Sequence, residues 1–229
     1  MFNIAREVTL SILYLVRHGQ TDWNAAGRLQ GHADRPLDGT GLAQAAAIGV
    51  RLSSLPLDAV YASDLERARA TAGEIAARHG LAVTADARLR EFSYGAWEGR
   101  AMAELAVSQP VAVAEWRRDP GGYVPHGGES EAAVQRRLGA FLQDLCSREP
   151  GEQIAIVTHG RALRTLLSLL LPGARDWASE PVVETASLTV VRLASEGARL
   201  LLYNDTAHLE LSALQGLRNA TAGGRAEPL

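Results

Sequence analysis

Apolar residues along this chain come in two alternating patterns. Short continuous apolar stretches at Ser11–Val16, Ala59–Ala62 and Ile154–Val157 are rich in β-formers, and each runs directly into polar residues, as a buried strand does when it ends at a crevice. Stretches near Leu81–Thr84, Ser187–Leu193 and Leu200–Tyr203 read as further strands. Between them, apolar positions recur at helical spacing. Leu42, Ala45, Ala46, Gly49 and Val50 mark a helix capped by Thr40 and running to about Ser53. Val134, Leu138, Phe141, Leu142 and Leu145 mark another within Glu129–Ser147, and Arg161–Leu171 a third, stopped by Pro172. One more helix begins at Ser63, where Glu66 completes the spacing of a capping box, and closes at His79-Gly80. Strands alternating with helices predict an α/β protein, a three-layer α/β/α sandwich around a mainly parallel central sheet.

The remaining stretches lack a period. Gly27–Gly41, with Pro36 and its glycines, is a loop, and Leu89–Gly99 is aromatic, glycine-rich and long enough to be a shaped loop. From about Arg100 to Gly128 a helical excursion gives way to irregular chain, which reads as a small insertion over the site. A single domain over residues 1–217 accommodates these elements, with the insertion at about 100–128. Residues before Ser11 read as a loose lead-in and 218–229 as a disordered tail.

Parallel sheets place their ligand crevice at the carboxyl ends of the strands, and those are the positions that carry reactive side chains here. Arg17-His18 follows the first strand, Ser63 and Arg67 the second, and His159 the strand at Ile154–Val157. A guanidinium beside an imidazole suits phosphate chemistry: the Arg fork holds phosphate oxygens in pairs, and a neutral imidazole can attack phosphorus. Taken alone, the pair is equally a strand end with two ordinary polar residues. Arg67 lies in the first turn of its helix, where the dipole disfavours a cation, so its placement points to an anion it meets; Arg69 and Arg78 better fit the alternative of surface arginines. Backbone N–H groups at the helix start of Gly160 can add to the same anion site. His79, at a helix end, reads as structural. The Leu89–Gly99 loop offers two carboxylates, Glu91 and Glu98, where one general acid is needed.

Composition narrows the classes. A chain of 229 residues, 47% of them hydrophobic, can bury a full core. Its formal net charge of −3 gives no attraction to nucleic acid or an anionic membrane, so any pull on an anionic substrate is local. There is no lysine, which excludes a Walker-type phosphate loop. The single cysteine, Cys146, excludes an intrachain disulfide and favours the cytoplasm; it is read as structural, because Glu152 stands where a Cys-x5-Arg phosphatase needs arginine. The N-terminal apolar run is too short to span a membrane and has no cleavage site, so Asn219-Ala220-Thr221, a glycosylation pattern, carries no meaning. No His or carboxylate set has metal-ligand spacing.

The Arg17-His18-Gly19 opening, Gly27-Arg28-Leu29-Gln30-Gly31, Tyr61–Ala68, Leu89-Arg90-Glu91, Gly127-Gly128-Glu129-Ser130 and Val157–Gly160 together resemble the histidine phosphatase superfamily, in the family's order and over nearly the whole chain. The resemblance implies a metal-independent, cofactor-free phosphomonoester hydrolase with His18 as the nucleophile that becomes phosphohistidine and Glu91 as the acid. Arg17, Arg67 and His159 compensate phosphate charge, and Asn24 and Gly160 add hydrogen bonds. Substrate-pocket candidates are Gln30, Gly31, Trp97, Arg117, Arg118, His126, Ser130 and His208, with a solvated helix end as the alternative for Arg117 and Arg118. The branch most resembled is that of the PhoE-like broad-specificity phosphatases, acting on small sugar phosphate or phosphoglycerate-type esters. The alternatives are a 2,3-bisphosphoglycerate-dependent phosphoglycerate mutase and a non-catalytic phospho-ligand or protein-binding module. An apolar edge strand would favour a homodimer.

Overall fold

The computed structural model describes residues 11–119, 122–148, 152–173 and 183–210. Strand β1 (Ser11–Arg17) lies inside the sheet because its residues are apolar on both faces, and such a strand has to be covered twice. In chain order the other elements are α1 (Asp22–Ala25), α2 (Gly39–Leu52), β2 (Ala59–Ala62), α3 (Glu66–Ala77), β3 (Val83–Ala85), α4 (Met102–Ser108), α5 (Pro110–Arg118), α6 (Glu131–Arg148), β4 (Gln153–Thr158), α7 (Gly160–Leu170), β5 (Leu188–Ala194) and β6 (Gly197–Asp205). The strands form one sheet in the order β3-β2-β4-β1-β5-β6. The strands β3, β2, β4 and β1 are parallel, β5 is antiparallel to β1, and β6 returns antiparallel to β5.

Side chains alternate across this sheet and make two cores. Leu13, Leu15, Ile154 and Ile156 face a core completed by Val134, Leu138 and Phe141 of α6, Leu163 and Leu166 of α7, and Val113 of α5. Tyr14, Val16, Ala155 and Val157 face the other, completed by Ile48 and Leu52 of α2 and Ala72 and Ile75 of α3. These are the three layers expected from the alternation of elements.

Several local expectations are corrected. Helix α2 is capped by Asp38, whose Oδ1 accepts the Gly41 N–H at 2.8 Å, and not by Thr40. Its buried face is also turned: Leu42 and Val50 are exposed, while Ala45, Ile48, Gly49 and Leu52 point inward. The cause is the close approach of α3, since a Cβ on Gly49 would stand 2.6 Å from the Glu74 carbonyl oxygen. The capping box at Ser63 does not form. The N-cap of α3 is Leu65, and the Glu66 N–H is taken at 2.8 Å by Asp34 from the Gly27–Gly41 loop. The third strand sits at Val83–Ala85, later than expected, whereas Gly80 has the positive φ of +65° that a helix end there requires. The lead-in before Ser11 and the tail from residue 218 lie outside the described residues. Among the described residues no helix is long and apolar enough to cross a membrane.

Candidate active site

The carboxyl ends of β1 and β4 are tied together: the His18 N–H donates to the Thr158 carbonyl at 2.9 Å, which brings His18 and His159 side by side. Gly19 is required at the next position because its backbone touches Gly41; a Cβ there would stand 2.5 Å from the Gly41 carbonyl oxygen. The two imidazoles meet edge to face, with centroids 5.0 Å apart. Each has its tautomer set by a partner. His18 Nδ1 donates to the Gly19 carbonyl at 2.7 Å, which leaves the lone pair on Nε2. His159 Nδ1 accepts from Arg67 Nε at 3.3 Å, so its proton is on Nε2, which is buried without a partner. One ring therefore offers a nucleophile and the other a donor. Burial, then Arg67 and Arg17, lowers the His18 pKa well below its ordinary value; burial and Arg67 do the same to His159, so both are neutral near pH 7.

Two arginines flank this pair. Arg17 donates through Nη1 to the Val183 carbonyl, and its Nε is buried without a partner beside Gly160. Arg67 is 1% exposed, and it spans the Gly27–Gly41 loop by donating to the carbonyls of Gly31 at 2.8 Å and Ala33 at 2.9 Å. Burial lowers its pKa to about 10, which leaves it a cation at neutral pH.

The two carboxylates of the Leu89–Gly99 loop have different surroundings. Glu98 is turned away from the pocket: Oε1 accepts from the N–H groups of His32 and Tyr94, each at 3.0 Å, and Oε2 from that of Ala33 at 3.0 Å, so it clips two loops together. Glu91 lines the pocket. Its Oε1 accepts from the N–H groups of Phe92 and Ala162, each at 3.0 Å, and its Oε2, among the described residues, from that of Arg161 at 3.1 Å. The start of α7 thus already donates to the Glu91 carboxyl group, with Gly160 the remaining amide of that turn on the pocket side. Behind Glu91, Arg137 donates to the carbonyls of Arg88, Arg90 and Glu91 and pairs with Glu129 at 3.0 Å. Burial would raise Glu129, but hydrogen bonds from His32, Arg137 and Ser93 bring it down to about 2.

A pocket of about 240 Å³ opens over these groups. Of the residues expected from the sequence, it is lined by Arg17, His18, Asn24, Gln30, Gly31, Arg67, Glu91, His159 and Gly160. Asn24 Oδ1 is committed to the Thr21 N–H at 3.1 Å, which leaves its NH2 group as the donor. Five expected pocket positions, together with His208, are corrected. Trp97 is 1% exposed in the core, stacked on Tyr123, and Trp116 takes the pocket wall instead. Arg117 and Arg118 are exposed at the end of α5, away from the lining, as the solvated-end alternative has it. His126 is exposed and outside the pocket, Ser130 accepts the Ala133 N–H at the start of α6, and His208 is buried outside the pocket. Cys146 is exposed on α6, also outside it.

Sequence reasoning missed Arg28, Tyr94, Trp116, Arg161, Arg164 and Val183, all of which line the pocket. Arg161 and Arg164 carried a usable signal, since residues three apart in the first turn after His159 share a helix face. Gln30 Oε1 and Trp116 Nε1 are buried without a partner, an acceptor and a donor in the wall of the site.

A mainly parallel α/β sheet that gathers two neutral histidines, the half-buried Arg17 and the buried Arg67 at the ends of its inner strands defines a phosphoryl-transfer site. Residues 13–206 match the family model of the histidine phosphatase superfamily (branch 1), and the chain belongs to that family. It is similar to phosphoserine phosphatase 1 of Hydrogenobacter thermophilus, 32% identical over 86% of this chain and 93% of the relative. It is 37% identical to a probable phosphoglycerate mutase of Yersinia enterocolitica, over 90% of this chain and 98% of the relative. Among solved structures, a mycobacterial glucosyl-3-phosphoglycerate phosphatase superposes with a TM-score of 0.77 at 33% identity, covering 85% of this chain and 99% of that one. The protein is an enzyme of the phosphatase class.

Proposed function

We propose that the protein hydrolyses small phosphate monoesters through a phosphohistidine on His18, using neither metal ion nor cofactor. The observation that carries this is the opposite tautomeric setting of the two histidines, which leaves the His18 Nε2 lone pair beside the His159 Nε2–H. His18 Nε2 attacks phosphorus and the ester P–O bond breaks; Arg17, Arg67, His159 and the Asn24 amide compensate charge on the equatorial oxygens. Glu91 passes a proton to the leaving oxygen through Oε2, the oxygen with fewer donors, and then takes one from the water that cleaves the phosphohistidine.

The substrate we propose is a phosphoglycerate-type or sugar phosphate ester. The pocket has room for a phosphate and a short leaving group, and Gln30 Oε1 and Trp116 Nε1 can meet hydroxyls. Phosphoserine and glucosyl-3-phosphoglycerate, named for two relatives, each pair a phosphate with a carboxylate, and Arg28, Arg161 and Arg164 supply cations for one. The same arginines and the mutase relative favour a second reading, phosphoglycerate mutase, which has to keep water out and retain a bisphosphate. The reading extends to a cytoplasmic enzyme and to a homodimer joined along the edge strand β6, where Leu201 is 50% exposed; light scattering of the purified protein tests the assembly.

The deciding experiment is phosphorus NMR of the metal-free protein given 3-phosphoglycerate and a trace of 2,3-bisphosphoglycerate, with His18→Ala as control. Release of inorganic phosphate, absent in the control, is expected. Formation of 2-phosphoglycerate without inorganic phosphate makes the protein a mutase.

A further inference from the structure

Behind the Arg17-His18 pair, the loop from Val183 to Ser187 runs into β5 and is bonded to the pair. The Val183 carbonyl accepts from Arg17 Nη1, and the Ala186 N–H is shared between the carbonyls of Arg17 at 3.0 Å and His18 at 3.1 Å. The Ser187 carbonyl accepts the Arg17 N–H at 3.4 Å. This loop sets both the backbone of the pair and the direction of the Arg17 fork.

The loop is in turn held by two side chains from the end of β6 and just beyond it. Asn204 Oδ1 accepts the Glu184 N–H at 2.8 Å, and His208 Nε2 donates to the Ala186 carbonyl at 3.0 Å. Ala186 and Asn204, at φ 54° and 51°, are the two non-glycine residues with positive φ among the described residues, and they sit on opposite sides of this junction. Such backbone persists where surrounding contacts over-determine it, and it concentrates at functional sites. His208 is 5% exposed, and its Nδ1 is buried without a partner. A hydrocarbon would fill that space without stranding a polar atom, so what the imidazole adds is the one bond to Ala186.

We infer that His208 is a positioning residue for phosphate transfer: by holding the Ala186 carbonyl it fixes the Val183–Ser187 loop, and through the Val183 carbonyl it aims the guanidinium of Arg17 at the phosphate. The inference rests on the phosphohistidine reading of His18 and Arg17. Transfer depends on geometry held to a fraction of an ångström, so a loosened Arg17 fork costs rate far more than it costs folding.

The test is a set of variants assayed on one phosphate ester and with orthovanadate as inhibitor. His208→Leu fills the space without the donor, and it is expected to lower kcat/KM and vanadate affinity by about tenfold or more. His208→Gln restores a nitrogen donor at the Nε2 position, and it is expected to stay within about threefold of the parent on both. In an Arg17→Lys background, where the fork is already gone, His208→Leu is expected to cost less than about threefold more, because the two residues act through one contact. A tenfold loss that repeats undiminished on Arg17→Lys, or full activity and vanadate affinity in His208→Leu, overturns the inference. If His208→Leu does not fold, Asn204→Gly carries the same cycle: it removes the contact to Glu184 while easing the positive φ. Lower vanadate affinity that is non-additive with Arg17→Lys supports the brace, and unchanged affinity overturns it. A parent protein that forms no phosphohistidine overturns the reading of the site itself, whereas a parent that forms it beside a fully active His208→Leu overturns only the brace.

Discussion

Arg67 Nε donates to His159 Nδ1 at 3.3 Å, and this contact decides which nitrogen of His159 faces the pocket. With the lone pair of Nδ1 engaged, the proton is on Nε2, where a phosphate oxygen can take it as a hydrogen bond. Arg67 thus supplies its own charge and also sets a second donor. Arg67→Gln is expected to lose about 10²–10³-fold in kcat/KM, the cost of removing a donor that meets developing charge. His159→Gln, which keeps a nitrogen donor at the Nε2 position, is expected to retain more activity than His159→Ala. Steady-state kinetics on a phosphate ester check both, and equal losses in the two His159 variants would refute the donor role.

The different surroundings of Glu91 and Glu98 give a leaving-group prediction. Glu91→Gln is expected to slow esters with alkyl leaving groups, such as 3-phosphoglycerate, by about 10²-fold or more, and p-nitrophenyl phosphate much less, because p-nitrophenolate departs without a proton. Equal losses on both substrates would remove Glu91 as the acid. Glu98→Gln is expected to lower the melting temperature, since an amide cannot accept all the N–H groups that the carboxylate of Glu98 holds in the two loops.

What the sequence made legible follows from which signals are local. Arg17, His18 and His159 were readable because an apolar strand in an α/β alternation announces its own carboxyl end, and the sheet does bring β1 and β4 together there. The cap of α3 was not readable, because Asp34 reaches it from a loop more than thirty residues earlier, and nothing near Ser63 signals that. The face of α2 was misjudged because Ala46, Ala47 and Gly49 give a weak periodicity, and the packing of α3 decided the phase. On α5 consecutive residues divide between pocket wall and solvent: Trp116 lines the site while Arg117 and Arg118 do not, a phase that charge alone does not reveal. His208 read as a pocket residue, and the structure puts it behind the site, against Ala186.

The buried histidines also fix how stability depends on pH. His18 and His159 have folded pKa values well below the ordinary histidine value, first through burial and then through Arg67 and its neighbours. The unfolded chain takes up protons at these sites below about pH 6.5 while the folded one does not, so stability present above that pH is lost as the pH falls. Glu129, held down to about 2, adds its own loss only below its ordinary value of 4.5. Melting temperatures at pH 7.5 and 5.5 are expected to differ more for the parent protein than for His159→Gln, and equal differences would show that His159 is not held neutral.

The arginines that line the pocket, and not those at the end of α5, are expected to sense the rest of the substrate. Arg117→Ala and Arg118→Ala remove exposed cations outside the pocket lining, so kcat and KM for 3-phosphoglycerate-type esters should stay within about twofold of the parent, as for other exposed charges. Arg164 lines the pocket three residues after Arg161, and its charge adds a little to the burial that lowers the pKa of Arg17. Arg164→Ala is therefore expected to raise KM for an ester that carries a carboxylate by about tenfold, the loss of one charge-assisted contact, with a much smaller effect on p-nitrophenyl phosphate. The comparison of the two substrates carries the test, because damage to the phosphate site itself would affect both alike. A KM rise confined to the carboxylate ester in Arg117→Ala or Arg118→Ala would move the recognition of the leaving group back to α5.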